Sequence, residues 1–274
     1  MLALGAGLFV SACGDIGLKL ANLPAKFSHV SVQRNVPYGD DPLQTMDIYK
    51  APEKENAPVV VFFYGGRWTD GKKENYAFVG NHFAKQGYTV IIPDYRKYPS
   101  VKFPAFVNDA AAAIAWAQNH IRPDLYVMGH SAGAHIGALA VADPKYLKKA
   151  GGNAGKIIAF AGLAGPYDFT PKAADLKDMF GPPEHYEKMQ VTTFITGTEP
   201  PMFLLYGGQD DLVDKSNMTK LAKAIEQKGG RVQTKTYPDY DHITLMASLT
   251  WMIDRKNQVA NDILEFFRKA SRAR

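Results

Sequence analysis

The sequence predicts a single α/β domain whose central sheet is mostly parallel and carries helices on both faces. Apolar runs of strand length alternate with longer stretches of helical periodicity, which is the order that βα units produce. Of the 274 residues, 46% are hydrophobic and 22% are charged, a composition typical of one ordered domain with a large core. We expect this domain to cover residues 28–274.

Eight segments have the length and apolar character of strands. The segment 59–64 is the clearest, because a continuous apolar run is typical of a strand that is buried on both faces. The first two segments are expected to form an opening pair. The predicted strands are 28–36, 45–50, 59–64, 88–92, 125–128, 156–161, 201–206 and 232–237.

Helical patterns fill most of the connections between these strands. The predicted helices are 73–86, 105–120, 132–142, 215–228 and 257–271. Residues 168–200 interrupt the alternation, because they hold four prolines and two glycines. A long irregular insertion in a compact domain is typical of a lid or binding loop, and a plain surface connection is the alternative.

The formal net charge of +5 indicates a basic, solvated surface, because the Lys and Arg residues are spread along the chain. Weak attraction to an anionic lipid surface is the alternative interpretation. No stretch combines dense basic residues with interleaved aromatic residues, and this argues against nucleic acid as a partner.

The only cysteine, Cys13, follows a short apolar run at residues 2–12. One cysteine excludes an intrachain disulfide, and the run is too short to span a bilayer. Its end, Val-Ser-Ala-Cys at residues 10–13, resembles the bacterial lipobox, whose cysteine becomes lipidated. We therefore predict a signal peptide at 1–13 cleaved before Cys13, a linker at 14–27, and an exported lipoprotein of the periplasm or outer membrane. The pattern lacks the usual Lys or Arg before the run, and a buried or disordered N-terminal arm is the alternative.

Residues 129–133 read Gly-His-Ser-Ala-Gly, the G-x-S-x-G pattern of a nucleophile elbow. An apolar strand precedes the pattern, and a helix of small residues follows it. In such an elbow the serine occupies a strained turn, where side chains at the two flanking glycines would clash. The pattern therefore predicts Ser131 as a nucleophile that projects above the sheet at the positive end of a helix.

A serine nucleophile needs a base, and the base needs a carboxylate to orient it. The partners of such an elbow follow in the order Ser, Asp or Glu, His. His242 lies in the predicted loop after the last strand, and we predict it as the base. Asp210 follows the 201–206 strand and is our candidate for the acid, with Asp211 and Asp168 as competing aspartates.

Acyl transfer also requires donors for the oxyanion of the tetrahedral intermediate. The backbone N–H of Ala132, directly after the nucleophile, is expected to supply one. The loop after the 59–64 strand contains Gly65 and Gly66, which let the backbone approach a substrate closely. We predict Gly66 and Arg67 as the other donors, and a simple turn is the alternative reading of this glycine pair.

From about residue 30 to its end, the chain resembles the α/β-hydrolase superfamily. Residues 64–68, Tyr-Gly-Gly-Arg-Trp, are similar to the H-G-G-x-W oxyanion loop of hormone-sensitive-lipase-like esterases and of bacterial feruloyl-esterase and kynurenine-formamidase-like enzymes. The block around Asp94, Arg96 and Asp109 resembles a further part of that branch, and we expect Arg96 to pair with Asp109. The departure is Tyr64, since the family usually has His there; that residue transfers no proton in the family.

The motifs and the resemblance together imply a carboxylesterase-like serine hydrolase that acts through an acyl-serine intermediate. Its expected partner is a small-molecule ester with a short to medium acyl or aryl group. No metal and no organic cofactor is implied, and membrane attachment is expected only through Cys13. Two alternatives stay open, an amide-cleaving enzyme such as a formamidase with the same triad, and a non-catalytic surface lipoprotein.

Overall fold

The computed structural model describes residues 20–51, 56–250, 252–253 and 256–273. The lipobox and Cys13 lie outside the described residues. Eight strands are present, and they match the predicted segments to within three residues at either end. The strands are β1 (Ser31–Pro37), β2 (Thr45–Lys50), β3 (Val59–Phe63), β4 (Thr89–Pro93), β5 (Leu125–His130), β6 (Ile157–Leu163), β7 (Met202–Gly207) and β8 (Val232–Tyr237).

The strands form one sheet in the order β1-β2-β4-β3-β5-β6-β7-β8. Only the β1–β2 and β2–β4 pairs are antiparallel, and the remaining five pairs are parallel. The predicted mostly parallel sheet is thus confirmed. The loops at the carboxyl ends of β3, β5, β7 and β8 consequently meet along one edge, where parallel α/β sheets place their ligand sites.

Helices cover both faces of this sheet. The α-helices of the described residues are α1 (Leu23–Lys26), α2 (Ala77–Lys85), α3 (Ala105–His120), α4 (Ala132–Ala142), α5 (Pro144–Lys149), α6 (Ala174–Phe180), α7 (Ser216–Gln227), α8 (His242–Ala247) and α9 (Gln258–Arg272). The five predicted helices match α2, α3, α4, α7 and α9, although residues 73–76 form a 3₁₀ turn rather than the first turn of α2.

Neighbouring residues of β5 identify which helices lie on opposite faces. The Tyr126 hydroxyl donates to the carbonyl of Phe267 in α9, over 3.2 Å. Val127 is the next residue of β5 after Tyr126. A Cβ built on Gly137 of α4 would lie 3.3 Å from the Val127 side chain. Because successive residues of a strand point to opposite faces, α9 and α4 lie on opposite sides of the sheet.

The predicted linker contains the short helix α1, which contacts the domain. Ala21 is buried. The Asn22 side chain donates to the Asn75 carbonyl at 2.9 Å and accepts from the Phe78 N–H at 2.8 Å, at the start of α2. In the described part of the chain, no helix has both the length and the apolar character needed to span a membrane.

Candidate active site

Ser131 sits on the sharp turn between β5 and α4. Its φ is +53° and its ψ is −124°, a left-handed conformation that few non-glycine residues adopt. A Cβ on Gly129 would lie 2.5 Å from the Gly133 carbonyl oxygen, and a Cβ on Gly133 would lie 2.1 Å from that of Phe63. The turn therefore needs glycine at both flanking positions, and strain of this kind is typical of functional sites.

A chain of hydrogen bonds joins three of the predicted site residues. The Nε2 of His242 lies 2.9 Å from the Oγ of Ser131, and its Nδ1 lies 2.8 Å from the Oδ2 of Asp210. The ring is buried, and so is the Asp210 side chain. An ionised carboxylate only accepts hydrogen bonds, so Nδ1 carries the proton and Nε2 is free to accept one from Ser131.

Asp210 is held by its second oxygen as well. Its Oδ1 accepts from the backbone N–H groups of Leu212 and Val213, both at 2.9 Å. Burial alone would raise the pKa of Asp210, but the hydrogen bonds from His242, Val213 and Leu212 outweigh it and lower that pKa below its ordinary value. The carboxylate is therefore ionised at neutral pH and has a fixed orientation.

The two competing aspartates lie elsewhere. Asp211 is exposed to solvent. Asp168 accepts from Lys220 Nζ at 2.8 Å and from the Thr192 hydroxyl at 2.5 Å, so it ties the insertion to α7. Of the three aspartates, the structure brings only Asp210 to the imidazole of His242.

His242 differs from its prediction in one respect, because it is the first residue of α8 rather than part of a loop. Asp241 is the N-cap, and its side chain accepts from the backbone N–H groups of Ile243 and Thr244. The Thr244 hydroxyl accepts in return from the Asp241 N–H at 2.8 Å, which completes a capping box. A second support comes from His130, whose buried Nε2 lies 3.1 Å from the His242 carbonyl oxygen.

The loop after β3 lies against the elbow, as the glycine pair predicted. A Cβ on Gly65 would lie 3.0 Å from the Cβ of Ser131. The φ angles of Gly66 and Arg67 are +133° and +52°, and the Gly66 carbonyl accepts from the N–H groups of Thr69 and Asp70 at 2.9 Å. The Gly66 carbonyl is therefore used inside the tight turn formed by residues 66–70.

Three backbone N–H groups in the loop after β3 and at the start of α4 are candidates to bind an oxyanion. Among the hydrogen bonds of the described residues, none uses the N–H of Gly66, Arg67 or Ala132. All three residues line a cavity of about 910 Å³ that also contains Ser131 and His242. The predicted oxyanion donors and the hydrogen-bonded Ser–His–Asp chain thus face one cavity.

A family model described as BD-FAE matches residues 46–225, well over half of the chain. The chain belongs to the BD-FAE family. Its match contains β2 to β7, the elbow, the loop after β3 and Asp210, whereas His242 lies beyond the matched range.

Curated proteins similar to this BD-FAE chain include an esterase and a probable methylesterase. The chain is 30% identical over 209 residues to Esterase LipC of Mycobacterium tuberculosis. The aligned region covers 66% of this chain and 52% of that protein. The chain is 29% identical over 247 residues to a probable isoprenylcysteine alpha-carbonyl methylesterase of Arabidopsis thaliana. That aligned region covers 78% of this chain and 51% of that protein. The chain therefore spans about half the length of these relatives.

Solved structures share the fold at low sequence identity. Esterase B from Lactobacillus rhamnosis matches with a TM-score of 0.76 at 19% identity, covering 96% of each chain. A truncated carbohydrate esterase from gut microbiota matches with a TM-score of 0.75 at 20% identity, covering 88% of this chain and 96% of that chain. These matches confirm the predicted α/β-hydrolase fold for this BD-FAE member.

Tyr64, the departure from the H-G-G-x-W pattern, has its own hydrogen bond in this BD-FAE chain. Its buried hydroxyl donates to Asp94 Oδ1 at 2.5 Å, and that oxygen also accepts from the Lys73 N–H at 2.9 Å. The predicted Arg96–Asp109 pair is also present, with Nη2–Oδ1 at 2.7 Å and Nε–Oδ2 at 3.0 Å. Both arrangements fix the loops behind the cavity.

The insertion at 168–200 is partly helical and contacts the loop after β3. It contains α6 and two 3₁₀ segments, Pro183–Met189 and Val191–Phe194. Both terminal nitrogens of Arg67 bond the carboxylate of Asp175 in α6. The sequence offered one sign of α6, since Gly181 ends it with a φ of +84°, the usual role of a C-terminal glycine.

Several apolar residues of the cavity wall were not predicted as site residues. Phe169 and Leu176 come from the insertion, and Leu212 and Ile243 lie close after Asp210 and His242; the same wall also contains Pro166 and Val213. Within the described ranges, no group of three or more His, Cys, Asp or Glu side chains is arranged to hold a metal ion.

Proposed function

We propose that this chain is a serine hydrolase that cleaves carboxylic esters through an acyl-serine intermediate. The observation that carries the proposal is the hydrogen-bonded chain from Ser131 Oγ through the His242 ring to Asp210. The names of the similar curated proteins, an esterase and a methylesterase, support the same reaction class.

In the proposed first half-reaction, Ser131 Oγ attacks the ester carbonyl carbon while its proton passes to His242 Nε2. The oxyanion accepts hydrogen bonds from the N–H groups of Gly66, Arg67 and Ala132. When the tetrahedral intermediate collapses, His242 gives the proton to the leaving alcohol. A water molecule, deprotonated by the same ring, then attacks the acyl-serine; the bond between the acyl carbon and Oγ breaks, His242 returns the proton to Ser131 Oγ, and the acid is released.

The experiment that tests this function is a rate series over aryl esters of increasing acyl length, with an aryl formamide included. We expect esters to be cleaved faster than the formamide, and acyl chains of short to medium length to be preferred. Faster turnover of the formamide would favour an amide-cleaving enzyme instead. Absence of turnover together with absence of labelling by a fluorophosphonate would favour a non-catalytic binding protein.

The pH dependence of the reaction should report one imidazole. Burial, with the nearby His242, lowers the pKa of His130 to about 3, and burial lowers the pKa of His135 to about 4. Both rings are therefore neutral from about pH 5 upward. We expect kcat/KM to fall on acidification with a slope of one proton, because protonation of His242 removes the base that accepts the Ser131 proton. A rate that stays flat down to about pH 5, or a slope of two protons, would contradict His242 as the single base.

We also propose that Cys13 carries a lipid and that the protein is exported to the periplasm or outer membrane of a bacterium. The support is the lipobox-like sequence at residues 10–13. Cys13→Ser should release the protein from the membrane fraction or block its processing, when the precursor is expressed from any upstream start codon. Unchanged fractionation of that variant would show that Cys13 is not the anchor.

A further inference from the structure

Two exposed aliphatic side chains stand beside the proposed triad. Nine large hydrophobic side chains of the described residues are exposed, and Leu212 and Ile243, at 67% and 61%, are among the three most exposed. Both line the cavity that contains Ser131. Isolated exposed hydrophobic residues need no explanation, but two of them at the mouth of one cavity indicate a binding surface.

Their backbone positions are fixed by the same hydrogen bonds that hold the triad. The Leu212 N–H donates to Asp210 Oδ1 at 2.9 Å, and the Ile243 N–H donates to the N-cap carboxylate of Asp241 at 3.0 Å. Ile243 also directly follows His242 in α8. Leu212 therefore belongs to the segment that supports Asp210, Ile243 belongs to the first turn of α8 beside His242, and both side chains line the same cavity as the imidazole.

The proton route of the reaction decides which part of an ester reaches these side chains. His242 Nε2 must donate to the oxygen of the leaving alcohol, so that oxygen lies within hydrogen-bonding distance of the ring. The carbonyl oxygen lies on the other side, at the N–H groups of Gly66, Arg67 and Ala132. The alcohol group is thus the part of the substrate nearest to Leu212 and Ile243.

A different apolar wall is available to the acyl group. Trp68 is only 4% exposed, and its ring stacks on Phe169 with centroids 5.7 Å apart. Leu176 of α6 lines the cavity as well, and it directly follows Asp175, which pairs with Arg67 of the loop after β3. These residues belong to the loop after β3 and to the insertion, so the acyl side and the alcohol side are formed by separate segments of the chain.

We infer that Leu212 and Ile243 form the binding surface for the alcohol group, and that the substrates are esters of apolar, aliphatic alcohols. This inference rests on the proposed ester hydrolysis. An apolar alcohol group bound there would cover both side chains, and this accounts for two exposed aliphatic residues at one cavity. They are specificity residues and transfer no proton.

The experiment compares two series of soluble monomeric esters. One series varies the alcohol, with ethyl, butyl and hexyl acetate, and the other varies the acid, with ethyl acetate, butyrate and hexanoate. In the double variant Leu212→Ala/Ile243→Ala we expect the ratio of kcat/KM for hexyl over ethyl acetate to fall about tenfold, because contacts with several methylene groups are lost. The ratio for ethyl hexanoate over ethyl acetate should change less than about twofold.

Leu43→Ala/Ile121→Ala is the matched control, since both residues are exposed aliphatics outside the cavity. This control should leave both ratios unchanged. A wild-type hexyl-to-ethyl ratio that survives in the Leu212/Ile243 variant, or an equal loss in the acid series, would overturn the inference while leaving ester hydrolysis intact. The same variants are also assayed with hexyl acetate above its solubility, and a loss seen only with that emulsified ester would overturn the inference in favour of adsorption to a lipid surface. If the wild type cleaved none of these esters, the proposed function itself would fail.

Discussion

Replacing Ser131 by alanine should reduce kcat for ester hydrolysis by about 10⁴- to 10⁶-fold, the loss that removal of a triad member typically causes. The variant lacks the oxygen that forms the covalent intermediate, and the oxyanion donors together with substrate binding leave a residual acceleration of only about 10³- to 10⁴-fold over the reaction in water. Protein stability should change little, because the Ser131 side chain makes no capping hydrogen bond to α4. The measurements are single-turnover rates and the thermal midpoint of each protein.

Ser100→Ala serves as the control, since Ser100 is exposed and outside the cavity. The wild type and this control should react with a fluorophosphonate at one site, whereas Ser131→Ala should not react. If the purified Ser131 variant kept a tenth of the wild-type rate, Ser131 would not be the nucleophile.

The sequence was sufficient to predict the sheet and the meeting of the site residues, and the reason is topological. The carboxyl ends of parallel strands share one edge, so a motif after β5, an aspartate after β7 and a histidine after β8 must lie near one another. Gly129 and Gly133 added a steric reason for the turn. Ser131 and His242 could therefore be paired without any knowledge of side-chain geometry.

Features that depend on long-range packing were not predictable in the same way. Helix α6 buries Met179 and Phe180 in the core, and ion pairs join its Asp175 to Arg67 and its Asp178 to Lys102, all of them contacts between segments far apart in the chain. The bond from His130 to the His242 carbonyl likewise depends on the tertiary fold. The exposure of Leu212 and Ile243 could not be predicted, because in the sequence an aliphatic residue next to a motif resembles a core residue. Only the tertiary structure shows that both side chains are exposed.

Replacing the acid of the triad should have the second largest effect on kcat. Asp210→Asn should lower kcat about 10⁴-fold, as the same change does in a serine-protease triad. Asp210 Oδ1 accepts two backbone N–H groups, so the single amide oxygen of asparagine should occupy that position. The amide NH₂ would then face His242 Nδ1 and donate to it. The ring would be forced into the tautomer whose Nε2 carries a proton, and such a ring cannot accept the proton of Ser131.

Asp211→Asn provides the matched control, because Asp211 is adjacent in sequence but exposed. It should lose less than about tenfold in kcat, and Asp168→Asn should do the same, since Asp168 pairs with Lys220. Stability of the Asp210 variant should stay close to wild type, because the bonds to Leu212 and Val213 are retained. A large loss in the Asp211 variant with an active Asp210 variant would make Asp211 the acid. Activity in both variants would instead point to Asp168, and would mean that the observed His242–Asp210 contact does not orient the base.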